Sequence, residues 1–259
     1  MPDLENVQLT TANHVATITL NRPEQRNPLS AAMLRDLIAA FTWCRGDDAV
    51  RVVILTGAGD RAFSSGADLG SFEAGVAEEV RHQERHAFIE LFLLMNALGK
   101  PIVGRINGHA LAGGLGLAAS CDLLIAVDTA TFATPEINVG VWPMMIQAVL
   151  ARNLPRKVLL EMAMLGDRWT ATQMQSVGFV NKVVARELLD STVDEVAGKL
   201  AGKSSIVMRL GKDSFYRQQD MEFDKALEYL YGELLKVVST EDAKEGVVAF
   251  FEKREPKFR

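Results

Sequence analysis

The spacing of apolar and polar positions changes character near residue 135. Upstream, short apolar runs alternate with longer amphipathic ones. His14 to Leu20 alternates and is rich in β-branched residues, which predicts a strand closed by Asn21-Arg22-Pro23. Ser30 is placed to cap a helix over residues 31–44, with Gly46 as its stop. Val50 to Thr56 is largely apolar and reads as a buried strand, turned by Gly57-Ala58-Gly59-Asp60. Residues 63–68 form a small-residue loop leading towards a short helix. A long helix over 77–98 ends at Gly99-Lys100-Pro101. Strands follow at 102–106 and 122–127, with an Asn107-Gly108 turn and a small-residue helix over 113–119 between them. The strands near 14, 50, 102 and 122 each precede a turn and a helix, which predicts an α/β protein of stacked ββα or βα units.

Beyond Pro135 the helical period dominates, with helices at 144–153, 156–164 and 172–177 and one strand at 179–184. Residues 186–251 read as three or four further helices. The expected organisation is a core over 1–185 and a helical region over 186–259.

Composition narrows the function classes. The chain has 259 residues, 48% of them hydrophobic, enough to bury a core without disulfides or metals. Its net charge of -5 argues against a binder of nucleic acid or of an anionic membrane. Cys44 and Cys121 are too few and too far apart for a disulfide framework or a zinc motif. Residues 1–8 carry two acids and no signal pattern. The apolar stretch 106–127 has membrane-span length but contains His109, Asp122 and four glycines. The expectation is a soluble, cytoplasmic protein, or one in an organelle lumen after import.

Three motifs mislead. Gly57-Ala58-Gly59-Asp60-Arg61-Ala62 fits the dinucleotide fingerprint but does not open a helix. Ala62-Phe63-Ser64-Ser65-Gly66 resembles a nucleophile elbow, yet no histidine follows His109. His82 and His86 share a helix face, but the acid between them is not at the metalloprotease offset, and a solvated charged face is the plainer reading.

Two loops and one carboxylate remain. Phe63-Ser64-Ser65-Gly66-Ala67-Asp68 and residues 107–116 (NGHALAGGLG) each place backbone N–H groups near a helix start. Converging, they would form an oxyanion hole; such small-residue clusters also serve helix–sheet packing. Glu136, in Thr134-Pro135-Glu136, is a lone carboxylate beside an apolar stretch, suited to proton transfer if desolvated; it could equally cap the turn after Pro135.

The order of these pieces resembles the crotonase (enoyl-CoA hydratase/isomerase) superfamily over essentially the whole chain. The matching segments are VATITLNRPEQRNPLS (15–30), VRVVILTGAGDRAFSSGADL (50–69), KPIVGRINGHALAGGLGLAASCDLLIA (100–126), FATPEINVGVWP (132–143) and EGVVAFFEKREPKF (245–258). The resemblance implies a right-handed spiral of ββα turns with a C-terminal helical trimerisation region, trimers often pairing into hexamers. It implies an acyl-CoA thioester substrate, with coenzyme A as part of the substrate and no metal or redox cofactor.

By position, Ala67 and Gly113 match the oxyanion-hole donors and Glu136 the acid/base. Arg26, the Ala62–Ser64 backbone through Phe63, and Phe250 and Lys253 match coenzyme A contacts. Gly66, Asp68, Gly114, Gly116 and Trp142 complete the expected substrate contacts. Two departures stand out. The similar hydratases hold water with two glutamates, and the first aligns with Gly116. Trp142-Pro143-Met144-Met145 replaces a glycine-rich run at the acyl pocket. The resemblance leaves a hydratase, a Δ3,Δ2-enoyl-CoA isomerase and a non-catalytic acyl-CoA-binding paralogue open.

Overall fold

A computed structural model describes residues 1–67 and 78–258. Residues 68–77 and Arg259 lie outside the described residues, as do the side chains of 78–85; Asp68, the short helix expected after it, and the His82 side chain fall there.

The strands are β1 (Val7–Ala12), β2 (Val15–Leu20), β3 (Pro28–Leu29), β4 (Val52–Gly57), β5 (Ala62–Ser64), β6 (Gly66–Ala67), β7 (Ile102–Ile106), β8 (His109–Leu111), β9 (Leu123–Val127), β10 (Thr131–Ala133), β11 (Trp169–Thr170) and β12 (Lys182–Val184). The α-helices are α1 (Ala31–Gly46), α2 (Glu78–Asn96), α3 (Gly113–Ala119), α4 (Met144–Asn153), α5 (Arg156–Leu165), α6 (Ala171–Ser176), α7 (Leu189–Ala201), α8 (Ser205–Gln218), α9 (Phe223–Val238) and α10 (Glu241–Glu252).

The large sheet runs β1-β2-β4-β7-β9-β12, antiparallel only between β1 and β2. A small sheet runs β11-β10-β8-β5, and β3 pairs with β6. The repeating unit is therefore a large-sheet strand, a short strand in a smaller sheet, and a helix: β4-β5-α2, β7-β8-α3 and β9-β10-α4. This is the spiral of ββα turns. The sequence pattern shows the first strand and the helix of each turn. The second strand, two or three residues long, has no period to read.

Local chemistry explains the boundaries. Ser30 Oγ accepts from Met33 N at 3.3 Å, capping α1 as expected. Gly46 stays inside the helix, and the Asp47 N–H closes it on Trp43 O. Every residue of β4 is buried, as befits a parallel strand covered on both faces. The strand expected over 179–184 shortens to 182–184, because Phe179 N and Val180 N turn back to Met174 O. No helix among the described residues is long and apolar enough to cross a membrane; 106–127 divides into β8, α3 and β9.

α7 buries Leu189, Val193, Ala197 and Ala201 in the same core as the sheet. α8 is tied down by a polar clamp. Lys212 Nζ donates to Asp122 Oδ2 at 2.6 Å and to Lys100 O at 3.0 Å. Tyr216 donates to Asp122 Oδ1 at 2.7 Å, and Ile102 N to Oδ2 at 2.7 Å. The Lys212 and Asp122 side chains are only 7% and 20% exposed, so deleting one partner strands the other. Lys212→Ala is expected to destabilise the fold by about 3 kcal/mol in urea unfolding, whereas a decorative surface pair would shift it by less than about 1 kcal/mol.

Candidate active site

Two turns meet where β6 ends and α3 begins. Gly66 has φ +94°, and a Cβ there would stand 2.6 Å from Ala112 Cβ and 3.0 Å from Gly113 N. A Cβ on Gly113 would stand 3.4 Å from Ala67 N. Glycine at both positions lets the backbones touch, and the structure brings Ala67 and Gly113 together as expected. Ala112 is held at φ 49°, ψ -126°, an unfavourable region for a residue with a Cβ. Its N–H bonds Ala133 O at 2.9 Å, and its carbonyl accepts from Leu115 N and Gly116 N. The N–H groups of Gly113 and Gly114 start the helix and have no partner within it, so donor and helix dipole point to one spot.

The supports of this pocket escaped sequence reasoning. Asn27, fully buried at φ 53°, accepts from Arg22 N at 3.0 Å and donates to Ala58 O and Ala62 O, both at 3.1 Å. Asn107, also buried, accepts from Gly57 N at 3.2 Å and donates to Gly59 O at 2.8 Å. Together the two amides staple the 57–62 turn. Both had the signature of a turn-former beside Pro or Gly; their burial was the missing signal.

The same staples settle the misleading motifs. Residues 57–62 run from β4 into β5 and open no helix, which removes the dinucleotide reading. Ser64 is a fully buried strut and no nucleophile: its hydroxyl donates to Asn27 O at 2.8 Å and accepts from Gly66 N at 3.2 Å. Ala62 and Phe63 are likewise buried. Gly114 packs on this strut, since a Cβ there would meet Ser64 O at 2.6 Å. Arg26, exposed at the end of the 3-10 helix Pro23–Gln25, lends its carbonyl to Ser65 N at 2.9 Å and so lies beside the loop. No group of three or more metal-ligating side chains occurs among the described residues.

Glu136 lies in the 3-10 helix Pro135–Val139, directly after β10. β10 pairs with β8 through Ala133 and Leu111, which ties Glu136 to the Ala112–Gly113 turn. Burial raises its carboxyl above the usual carboxylate range, and a backbone hydrogen bond opposes this in part. Its Oε2 is buried without a partner, as is Thr134 Oγ1. An orphaned buried oxygen costs about 1–3 kcal/mol, a cost a reactive group can justify.

Other expected contacts have different surroundings. Gly116 lies under α4: a Cβ there would stand 2.3 Å from Ile146 Cγ2 and 3.3 Å from Phe92 Cζ, so it is a packing position with no open space beside it. The Trp142 indole donates to Gln147 Oε1 at 2.6 Å at the start of α4. α10 packs on α8 and α9, leaving Phe250 and Lys253 on the outer face of the single chain. A cleft of about 1280 Å³ opens between α2, α4, α8 and α10; Phe92 is on its wall, but Ala67, Gly113 and Glu136 are not.

The enoyl-CoA hydratase/isomerase family matches residues 10–259. The chain is 34% identical over 259 residues to the crotonyl-CoA hydratase of Syntrophomonas wolfei, covering 98% of each. It is 34% identical over 242 residues to the mitochondrial enoyl-CoA hydratase domain-containing protein 3 of Xenopus laevis, covering 93% of this chain and 82% of the relative. The crystal structure of an enoyl-CoA hydratase from Mycobacterium smegmatis superposes with a TM-score of 0.94 at 34% identity, covering 98% of this chain and 99% of that one. With the spiral fold and the paired glycine turns, a match of this extent makes the chain a member of the enoyl-CoA hydratase/isomerase family.

Proposed function

We propose that the protein adds water across the double bond of a 2-enoyl-CoA thioester, with Glu136 as acid/base. The observation that carries this is a desolvated carboxylate with an orphaned oxygen, one short turn beyond the strand that braces the paired N–H groups. In this reading the thioester carbonyl accepts from Ala67 N–H and Gly113 N–H, which hold the enolate oxygen. Losing such a donor costs about 3–4 kcal/mol of barrier. Water oxygen bonds to the β-carbon, the double-bond electrons move into the enolate, and Glu136 takes the water proton. The same carboxyl then protonates the α-carbon, so the net change is addition of one water. The names of the bacterial relatives support hydration.

A second reading rests on Ile146. Its side chain fills the space beside Gly116, so a second carboxylate has no room there. A single carboxylate suits a double-bond shift: Glu136 removes the α-proton of a 3-enoyl-CoA and returns it at the γ-carbon. Both readings use the same N–H pocket.

Assembly is the other part of the proposal. α9 exposes Leu227, Tyr231, Leu234, Leu235 and Val238, which share one face at helical spacing. This supports a homotrimer, or a pair of trimers, built through the C-terminal helices, and such assembly would allow Phe250 and Lys253 to serve a neighbouring subunit's coenzyme A.

On a panel of 2-enoyl- and 3-enoyl-CoA substrates of several chain lengths, Glu136→Gln is expected to lower turnover roughly 10²–10⁴-fold; a folded variant with full activity would overturn the assignment. The same variant should melt above the parent. The folded carboxyl is raised, so ionisation favours the unfolded chain, and the parent loses stability as pH climbs from the ordinary carboxylate range through the raised value. The gap between the two melting curves should open across that window. In light scattering, the parent is expected at three or six chain masses, and a Leu234→Glu, Leu235→Glu double variant at one.

A further inference from the structure

The face of α3 that begins with Gly113 continues one turn later with Gly116. Three apolar side chains cover it. Phe88 Cε1 lies 3.3 Å from where a Cβ on Gly113 would be, and Phe92 Cζ lies 3.3 Å from where one on Gly116 would be. Both come from α2, one turn apart, and their ring centroids are 6.1 Å apart, so they make one continuous wall. Ile146 of α4 completes it, its Cβ and Cγ2 both pressing on the Gly116 position. Phe88 and Ile146 are buried.

Behind this wall is the large cleft. Phe92 belongs to both sides: it packs at Gly116 and lines the cleft together with Ala119, Met145 and Val149. Ile146 follows Met145 on α4 but turns inward onto α3. One layer of side chains thus separates the Gly113–Gly116 face from about 1280 Å³ of further space. The members of this layer and of the cleft wall differ in freedom. Ile146 is β-branched and in a helix has essentially one χ1 rotamer, so it cannot swing aside. Met144 and Met145, on the cleft side, are unbranched and adaptable. The partition also stands close to the reacting groups, since Gly113 and Gly116 are separated by roughly 5 Å along the α3 axis. An acyl chain whose carbonyl is held at Gly113 N–H and which runs along this face meets Ile146 within a few carbons. Going further means displacing a rigid side chain from a close-packed position.

We infer that Ile146, backed by Phe92, determines the acyl length this enzyme accepts: it ends the acyl pocket, so short-chain thioesters fit and long-chain ones do not. This rests on the acyl-CoA reading above and names the substrate class of that same site. The same side chain that leaves no room for a second carboxylate at 116 then also stops the acyl tail. Discrimination of this kind comes from filling rather than from polar contacts, and one methylene too many in an apolar pocket changes selectivity roughly 10–200-fold. Reducing Ile146 removes the part of the partition that touches Gly116 and joins the acyl pocket to the cleft, whose Ile89, Leu93, Met145 and Val149 offer an apolar lining to a longer tail.

The test is calorimetric titration of the full chain with butyryl-CoA and with decanoyl-CoA, in the parent and in Ile146→Ala. The parent is expected to bind butyryl-CoA more tightly by about tenfold or more, and the ratio of the two affinities should move towards decanoyl-CoA by about tenfold or more in Ile146→Ala. A general loss of stability weakens both thioesters together and leaves their ratio alone, so the ratio separates selection from a merely structural role. Phe92→Ala, at the half-buried cleft wall, should move the ratio in the same direction, and it keeps the test open if Ile146→Ala misfolds. Equal affinities in the parent, a parental preference for decanoyl-CoA, or a ratio unchanged in every folded variant would overturn the role of Ile146 while leaving the acyl-CoA reading intact. No binding of either thioester to the parent chain would instead overturn that reading itself.

Discussion

The contact on which the rest of the site depends is the approach of one glycine turn to another. Gly66 lies so close to Ala112 and Gly113 that any side chain there would overlap backbone. Such proximity brings the backbone nitrogens of Ala67 and Gly113 side by side. It also has requirements of its own. Ala112 must be held in an unfavourable backbone region, and the loop before Gly66 must not drift. The first is met by the bond from Ala112 N to Ala133 O, the second by the Ser64 strut. The geometry of the candidate site is thus a consequence of the way successive spiral turns are stitched together, and Glu136 is placed by the same stitch.

The buried amides of Asn27 and Asn107 extend this logic outward. Both donate towards Ala62 O, at 3.1 and 3.3 Å, from different turns of the spiral. A shared acceptor couples the 22–27 turn to the β7–β8 turn through hydrogen bonds. Hydrophobic burial does the complementary work elsewhere, in the fully covered β4 and in α7.

Much of this was legible from residue patterns, and what was not has a physical reason. The strand 102–106 and the helices 113–119 and 144–153 are found at the expected residues, because their apolar periods and Gly or Pro boundaries are local signals. β1 was missed: Val7 and Leu9 face the core, but Thr10 to Ala12 are exposed, so the alternation stops after two apolar positions at this sheet edge. The short strands β5, β8 and β10 were missed because pairing across the sequence, rather than propensity, makes them strands. At the site, Ala67, Gly113 and Glu136 could be picked out by motif order. The internal roles of Ser64 and Gly116 could not, since both depend on neighbours far along the chain.

Gly116 has one more implication. The family resemblance implies a glutamate at this position in the similar hydratases. Here Ile146 lies across it, and Ile146 is β-branched, with its own Cβ 2.8 Å from where the new Cβ would be. Rotamer changes cannot relieve that overlap. The two positions are therefore epistatic: an acid at 116 is harmful while the isoleucine stays, and is accommodated only after the isoleucine has been reduced. In this chain the side chain at 146 therefore sets the order in which the two positions can change.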